Sequence, residues 1–171
     1  MQVDPQTLSL VFYPSDVLRK KAQEVDPSDS NVQAVANRMM ELMVDHDGAG
    51  LAATQVGLEW RLFVTRDPDD PEKAIAWMNP SLEVVNAEVE SAEEGCLSLP
   101  DILGNVRRPR GIKITGWNAH GEKVEITSEK FIARVWQHEN DHLDGVLIID
   151  KMSAMDRLVN HRAIRNLERS L

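Results

Sequence analysis

Between Asn31 and His46 the apolar residues Val32, Val35, Met39, Leu42 and Met43 recur every three or four positions, the spacing of one helical face. The pattern predicts a helix over 31–46, capped by Asp29 or Ser30 and ended by Asp47-Gly48-Ala49-Gly50. Two compact apolar runs, RLFVTR (61–66) and AIAWM (74–78), read as strands separated by the turn-rich DPDDPEK. GIKITGW (111–117) and EKVEIT (122–127) alternate apolar and polar residues around Asn118-Ala119-His120-Gly121, which predicts a hairpin. From about Ser128 a helix is expected to run through Trp136 and His142. VLIID (146–150) reads as a short strand, and a last helix covers roughly 154–170. Strands without regular strand-helix alternation predict an α+β fold with antiparallel pairing.

At 171 residues, with 42% hydrophobic and 27% charged positions, the chain is expected to form one domain over 1–171 rather than a disordered or fibrous protein. Its start lacks a basic stretch followed by an apolar core, and no apolar run approaches the ~20 residues of a spanning helix. A cytoplasmic location without membrane partners is therefore expected. The net charge of −9 is uneven: residues 151–171 carry +3, which leaves −12 on the rest. That acidic body argues against DNA as a partner, while the basic tail could still meet phosphate. Cys96, the single cysteine, excludes an intrachain disulfide and reads as a core residue, a ligand or a nucleophile.

The strongest chemical signal is His138-Glu139-Asn140-Asp141-His142. At about 100° per residue, His138, Glu139 and His142 fall on one side of a helix, and four residues rise about 6 Å, so both imidazoles can converge on one ion. Phe131 and Val135 lie on the same stripe, which should face the core. A pair of hydrogen-bonded histidines flanking an incidental acid would produce the same spacing. A catalytic site of this type usually has a third protein ligand and one open position. The metzincin pattern fails because Ile148 stands where its third histidine belongs. A thermolysin-like zinc peptidase would need a downstream acid, Glu168 or Asp156, both in the tail helix. Cys96 is the remaining soft donor, in Glu94-Gly95-Cys96-Leu97-Ser98, where Leu97 presents an amide beside it. A non-catalytic metal-binding module also stays open.

Three blocks in order resemble the peptide deformylase family: Gly48-Ala49-Gly50-Leu51-Ala52-Ala53-Thr54-Gln55, then Glu94-Gly95-Cys96-Leu97-Ser98, then Gln137-His138-Glu139 through His142-Leu143-Asp144-Gly145. The similarity begins at LSLVFYPSDVLRKKA and extends over nearly the whole chain. It implies antiparallel β-sheets packed around a central metal-binding helix, with a C-terminal helix. It also implies Cys96, His138 and His142 as metal ligands, Glu139 as general base and acid, and Gln55 with the Leu97 amide as donors to the developing oxyanion. Gly50 and Ala49 join Gln55 and Leu97 on the substrate side. The implied reaction removes the formyl group from N-formylmethionine on nascent peptides and releases formate, usually with Fe2+. Zn2+, Ni2+ or Co2+ suit the same donors. Two positions depart from the pattern: Ala49 replaces a larger Ile or Val, and Leu103 stands where many relatives carry arginine. Arg107 and Arg108, close by, read as ordinary surface arginines.

His46, His120 and His161 are expected to be solvent-exposed, and Met39, Met40 and Met43 to belong to the core and flank of their helix. Trp60, Trp77, Trp117 and Trp136 read as packing residues. Asp141, next to His142, points away from the ligand side, so the second-sphere partners of the histidines have no candidate in the sequence. On the tail helix Arg162, Arg165 and Arg169 form a basic stripe beside Ile164, Leu167 and Leu171. Its bland reading is a solvated face, and its functional one is transient contact with the ribosome.

Overall fold

A computed structural model describes residues 2–170, so Leu171 and its expected place beside Ile164 and Leu167 lie outside the described residues. Helix α1 (Ser30–Asp45) starts where expected: the Asp29 carboxylate accepts from the Asn31 and Val32 amides and satisfies donors the helix cannot. It stops at His46, followed by Asp47 at φ 53°. Strands β1 (Gly50–Ala52), β2 (Leu62–Arg66), β3 (Ala74–Cys96), β4 (Leu99–Trp117) and β5 (Lys123–Ser128) form one antiparallel sheet in chain order. The sheets expected around the helix are thus parts of a single curving sheet.

The short strand β2 is apolar without alternation because both of its faces are covered. Leu62 and Val64 face α1 in one core with Val35, Met39, Met43 and Met78. Phe63 points the other way, into a second core with Trp77, Ile114 and Trp136 of helix α2 (Phe131–Leu143). Fully burying such side chains contributes about 1.5–3 kcal/mol each. Trp77 and Trp136 also meet edge to face with centroids 6.1 Å apart, as expected of packing residues. The helix that carries the histidines is therefore anchored by its apolar neighbours against the middle of the sheet.

The expected hairpin around 118–121 forms, with Gly116 opposite Val124 and Ile114 opposite Ile126. The strand expected over 74–78 runs on to Cys96, the one expected from 111 begins at Leu99, and three later boundaries also differ. Ser128 ends β5 and its hydroxyl accepts from the Lys130 amide, so α2 begins only at Phe131. VLIID is not a strand: Ile148–Lys151 makes one helical turn, α3, because the Asp150 carboxylate accepts from the Leu147 amide and closes it. The last helix is two, α4 (Ala154–Val159) and α5 (His161–Glu168), broken at buried Asn160, whose amide donates to the Leu103 carbonyl. These segments pack with Leu18, Leu99, Ile102 and Val106 in a third core that holds the end of the β3–β4 hairpin. Gly145 ends α2 at φ 73°, where a side-chain Cβ would stand 2.5 Å from the Arg19 carbonyl oxygen. Among the described residues no helix is long and apolar enough to cross a membrane.

Candidate metal centre

Strands β3 and β4 reverse through Leu97 and Ser98, with Cys96 opposite Leu99, so Cys96 sits at the last paired position before the turn. The tip is held from below. Ser98 donates its hydroxyl to the Val11 carbonyl at 2.8 Å, and its own carbonyl accepts from the Tyr13 amide at 2.9 Å. Gln55, only 1% exposed, stands in the single turn Ala53–Val56 after β1. Its Oε1 accepts from the Ala52 amide, while its Nε2 donates to Ser98 Oγ at 3.2 Å and to Cys96 Sγ at 3.5 Å. Those bonds orient the amide nitrogen toward the sulfur.

Helix α2 delivers the other groups. Cys96 Sγ and His142 Nε2 are 3.5 Å apart, and one donor atom from each of Cys96, His138 and His142 lies within 4.8 Å of the others. Tetrahedral bonds of ~2.3 Å to sulfur and ~2.0–2.1 Å to nitrogen would set neighbouring donors roughly 3.3–3.6 Å apart. The trio therefore fits a single small cation, and a thiolate with two imidazoles is a donor set for a borderline-soft divalent metal. Glu139 stays beside the trio: its Oε1 is 3.9 Å from His138 Nε2, and its buried Oε2 has no hydrogen-bond partner among the described residues. Gly50 makes room for it, since a Cβ there would lie 2.8 Å from Glu139 Cγ and 2.9 Å from Oε2.

Electrostatics separates the groups. Burial pushes the Glu139 carboxyl up to about 7, and the neighbouring charge of His138 only partly opposes this. For His138 burial works downward, but the Cys96 sulfur and the Glu94 carboxylate more than offset it and push the imidazole up to about 10. His142, buried and next to His138, is held well below its ordinary value and stays neutral.

The partner of His138 is Glu94, whose Oε1 accepts from Nδ1 at 3.0 Å and leaves Nε2 facing the trio. Glu94 also accepts from Arg108 Nε and Nη2 at 2.7 and 3.0 Å, and from Arg134 Nη1 at 2.7 Å. Arg108 continues to Asp141 at 2.9 Å, and Lys151 closes on Asp141 at 3.3 Å. Arg108 is thus buried, not a surface arginine, because it neutralises two carboxylates that flank the Cys96, His138 and His142 trio. Arg107 is exposed, as expected. Although no one-dimensional pattern marks Glu94 or Arg134, each had a signal. Glu94 lies two residues before Cys96 on the same face of β3, and Arg134 one turn before His138.

A cleft of about 370 Å³ opens onto these groups, lined by Ala49, Gly50, Gln55, Leu97, Val135 and Glu139 among others. Phe131, expected in the core, is 67% exposed at its rim, because the helix starts there and its first turn overhangs the cleft. Leu103 is exposed. The downstream acids are engaged elsewhere: Glu168 accepts from the Tyr13 hydroxyl and Asp156 from the Asn105 amide. Neither joins the trio, which removes the basis for a thermolysin-like site.

The family model for polypeptide deformylase matches residues 7–158. A peptide deformylase of Thermotoga petrophila is 43% identical over 155 residues, covering 91% of this chain and 93% of its own length. The crystal structure of the Thermotoga maritima peptide deformylase superposes with a TM-score of 0.78 at 44% identity, covering 85% of this chain and 97% of that one. A plant peptide deformylase superposes at 0.90 with 34% identity, covering 99% and 92%. The chain belongs to the peptide deformylase family, metal-dependent hydrolases that remove the N-formyl group from nascent peptides.

Proposed function

We propose that Cys96, His138 and His142 hold one divalent cation and that Glu139 moves the proton in hydrolysis of the formamide bond of N-formylmethionyl peptides. The convergence of the three donors beside a buried carboxylate carries this reading. A cation bound there supplies a Lewis acid and lowers the pKa of a coordinated water from 15.7 towards about 7. Glu139, with a pKa near 7, is matched to take a proton from the attacking water and return it to the amine nitrogen as the C–N bond breaks. Gln55 Nε2 and the Leu97 amide donate to the oxygen on which charge develops, a contact worth about 2.7–4 kcal/mol per donor. Gly50 and Ala49, at the free edge of the sheet, offer backbone groups to the substrate main chain, and the cleft beside Leu97 and Val135 takes the methionine side chain.

Fe2+ is the proposed resident metal on the strength of the family resemblance. Zn2+, Ni2+ and Co2+ would fill the same donors. The protein acts in the cytoplasm as one catalytic domain over 1–171, with formylated nascent chains as its partners and the basic stripe Arg162, Arg165 and Arg169 of the C-terminal helix touching the ribosome. Formate release from formyl-Met-Ala-Ser by protein prepared without oxygen tests the chemistry. Wild type should release formate, and Cys96→Ser should lose both metal and activity. A metal-loaded wild type that releases none refutes the assignment.

A further inference from the structure

The Asp16–Arg19 turn and helices α3, α4 and α5 line a second, open cavity of about 380 Å³. Arg157, His161 and Arg165 line it, four residues apart along the two C-terminal helices. Among the described residues none of the three side chains forms an ion pair or a hydrogen bond. Arg157 belongs to α4 and Arg165 to α5, so two unpaired guanidiniums from either side of the Asn160 break line the same cavity, and in a chain of net charge −9 acidic partners are plentiful elsewhere. The opposite wall is built. Arg19 donates to both oxygens of Asp150 and to the Gly145 carbonyl, and its guanidinium stands 5.8 Å from the Tyr13 ring centre. Glu168, the one carboxylate among the lining residues, accepts from the Tyr13 hydroxyl. Ile149, Ala154 and Ile164 supply an apolar floor, which strengthens any charge pairing above it.

We propose that this cavity is a binding site for an oxyanion of the phosphate class, held by Arg157, His161 and Arg165 against the fixed wall of Arg19 and Tyr13. The anion accepts from the forks of two guanidinium groups and from an N–H of the His161 imidazole. It ties the N-terminal turn to the C-terminal helices, whose other side packs on the hairpin end that bears Cys96. Phosphate ester groups on RNA carry the same chemistry as free phosphate, so the test separates the two sources.

Calorimetric titration of the metal-loaded full chain with inorganic phosphate, and separately with a short single-stranded RNA, reads the site. Wild type should bind phosphate, and Arg157→Ala/Arg165→Ala should weaken it roughly tenfold or more. Arg107→Ala/Lys130→Ala, on exposed positions outside the cavity, should leave it unchanged. Melting and formate release of both variants report that they are folded. RNA binding that phosphate displaces, and that the first pair of substitutions abolishes, assigns the linked source; phosphate binding without RNA binding assigns the free one. Phosphate binding that is absent, unaffected by the first pair, or equally weakened by the second overturns the proposal.

Discussion

Glu94 and His138, forty-four residues apart in sequence, share a 3.0 Å hydrogen bond in which the imidazole Nδ1–H donates to the carboxylate. Glu94 receives four donors in all, from His138, from Arg108 twice and from Arg134. A carboxylate has about four acceptor sites. Its capacity is filled, so its position is fixed, and with it the tautomer and tilt of His138. Burial alone would raise the Glu94 carboxyl; the His138 imidazole and the Arg108 guanidinium hold it well below the usual carboxylate range.

Glu94→Gln should therefore damage both the metal and the fold. The amide keeps the shape but loses the charge, and one of its ends is a donor facing donors. Metal affinity is expected to fall about 10–100-fold, as read by competition with a chelator. Leaving Arg108 buried without its full counter-charge should lower folding stability by about 3–5 kcal/mol in urea unfolding. Unchanged chelator competition would show that Glu94 does not govern His138.

Asp150 links acid pH to the C-terminal packing. Partial burial raises its carboxyl, but the Arg19 guanidinium and the Leu147 amide outweigh this and lower it. A lowered folded pKa means that the unfolded chain binds the proton more tightly, so the stabilisation is complete above the unfolded value of about 3.9 and is lost as pH falls through the folded value. The stability gap between wild type and Asp150→Asn should be constant from about pH 6 to 8 and close below about pH 4. A gap that widens on acidification would refute this linkage.

How far the sequence announces this molecule depends on what a pattern can encode. The stripe of Val32, Val35, Met39 and Met43, and the 111–127 hairpin, are legible because each buries one face. The stretch of β3 from Ser81 to Glu93 is not. Val84, Val85 and Val89 are exposed there, and cross-strand ion pairs such as Lys113 with Glu83 and Arg110 with Glu88 replace a buried face. VLIID has strand composition, yet Asp150 closes it into a turn and Ile148 and Ile149 enter the third core. At the site, helical spacing alone puts His138, Glu139 and His142 together. Glu94 emerges only once β3 is known to run to Cys96, so that alternate residues share a side.

Asn160→Ala tests the helix break. Its buried side-chain amide donates to the Leu103 and Asp156 carbonyls, each at 2.8 Å. Removing it takes the side-chain donor from the part-buried Leu103 carbonyl, a loss of about 1–3 kcal/mol, while the Asp156 carbonyl keeps the backbone N–H of residue 160. Leu103 belongs to the same strand as Leu99 and Ile102, whose packing holds the Cys96 turn. The urea midpoint should drop while formate release per folded molecule stays close to wild type. An unaltered midpoint would mean that the α4–α5 break is set by other contacts.

Gly50→Ala and Glu139→Gln separate placement of the proton carrier from its chemistry. Glu139→Gln leaves the three donors in place and removes the carboxylate, so metal should remain bound while turnover falls about 10²–10⁴-fold. Gly50→Ala leaves the carboxylate but inserts a methyl group 2.8 Å from Glu139 Cγ, in a helix anchored by Trp136 and Leu143, so the side chain must swing away from the trio. Because an error of about 1 Å in a catalytic group can remove 10²-fold in rate, turnover should fall with metal content unchanged. The pH profiles distinguish the two variants. Gly50→Ala retains a titrating base, but one displaced toward solvent, so its acid limb should shift to lower pH from the value near 7 that burial imposes. Glu139→Gln should lose that limb altogether. A Gly50→Ala enzyme with wild-type turnover and profile would show that this close approach does not position the base.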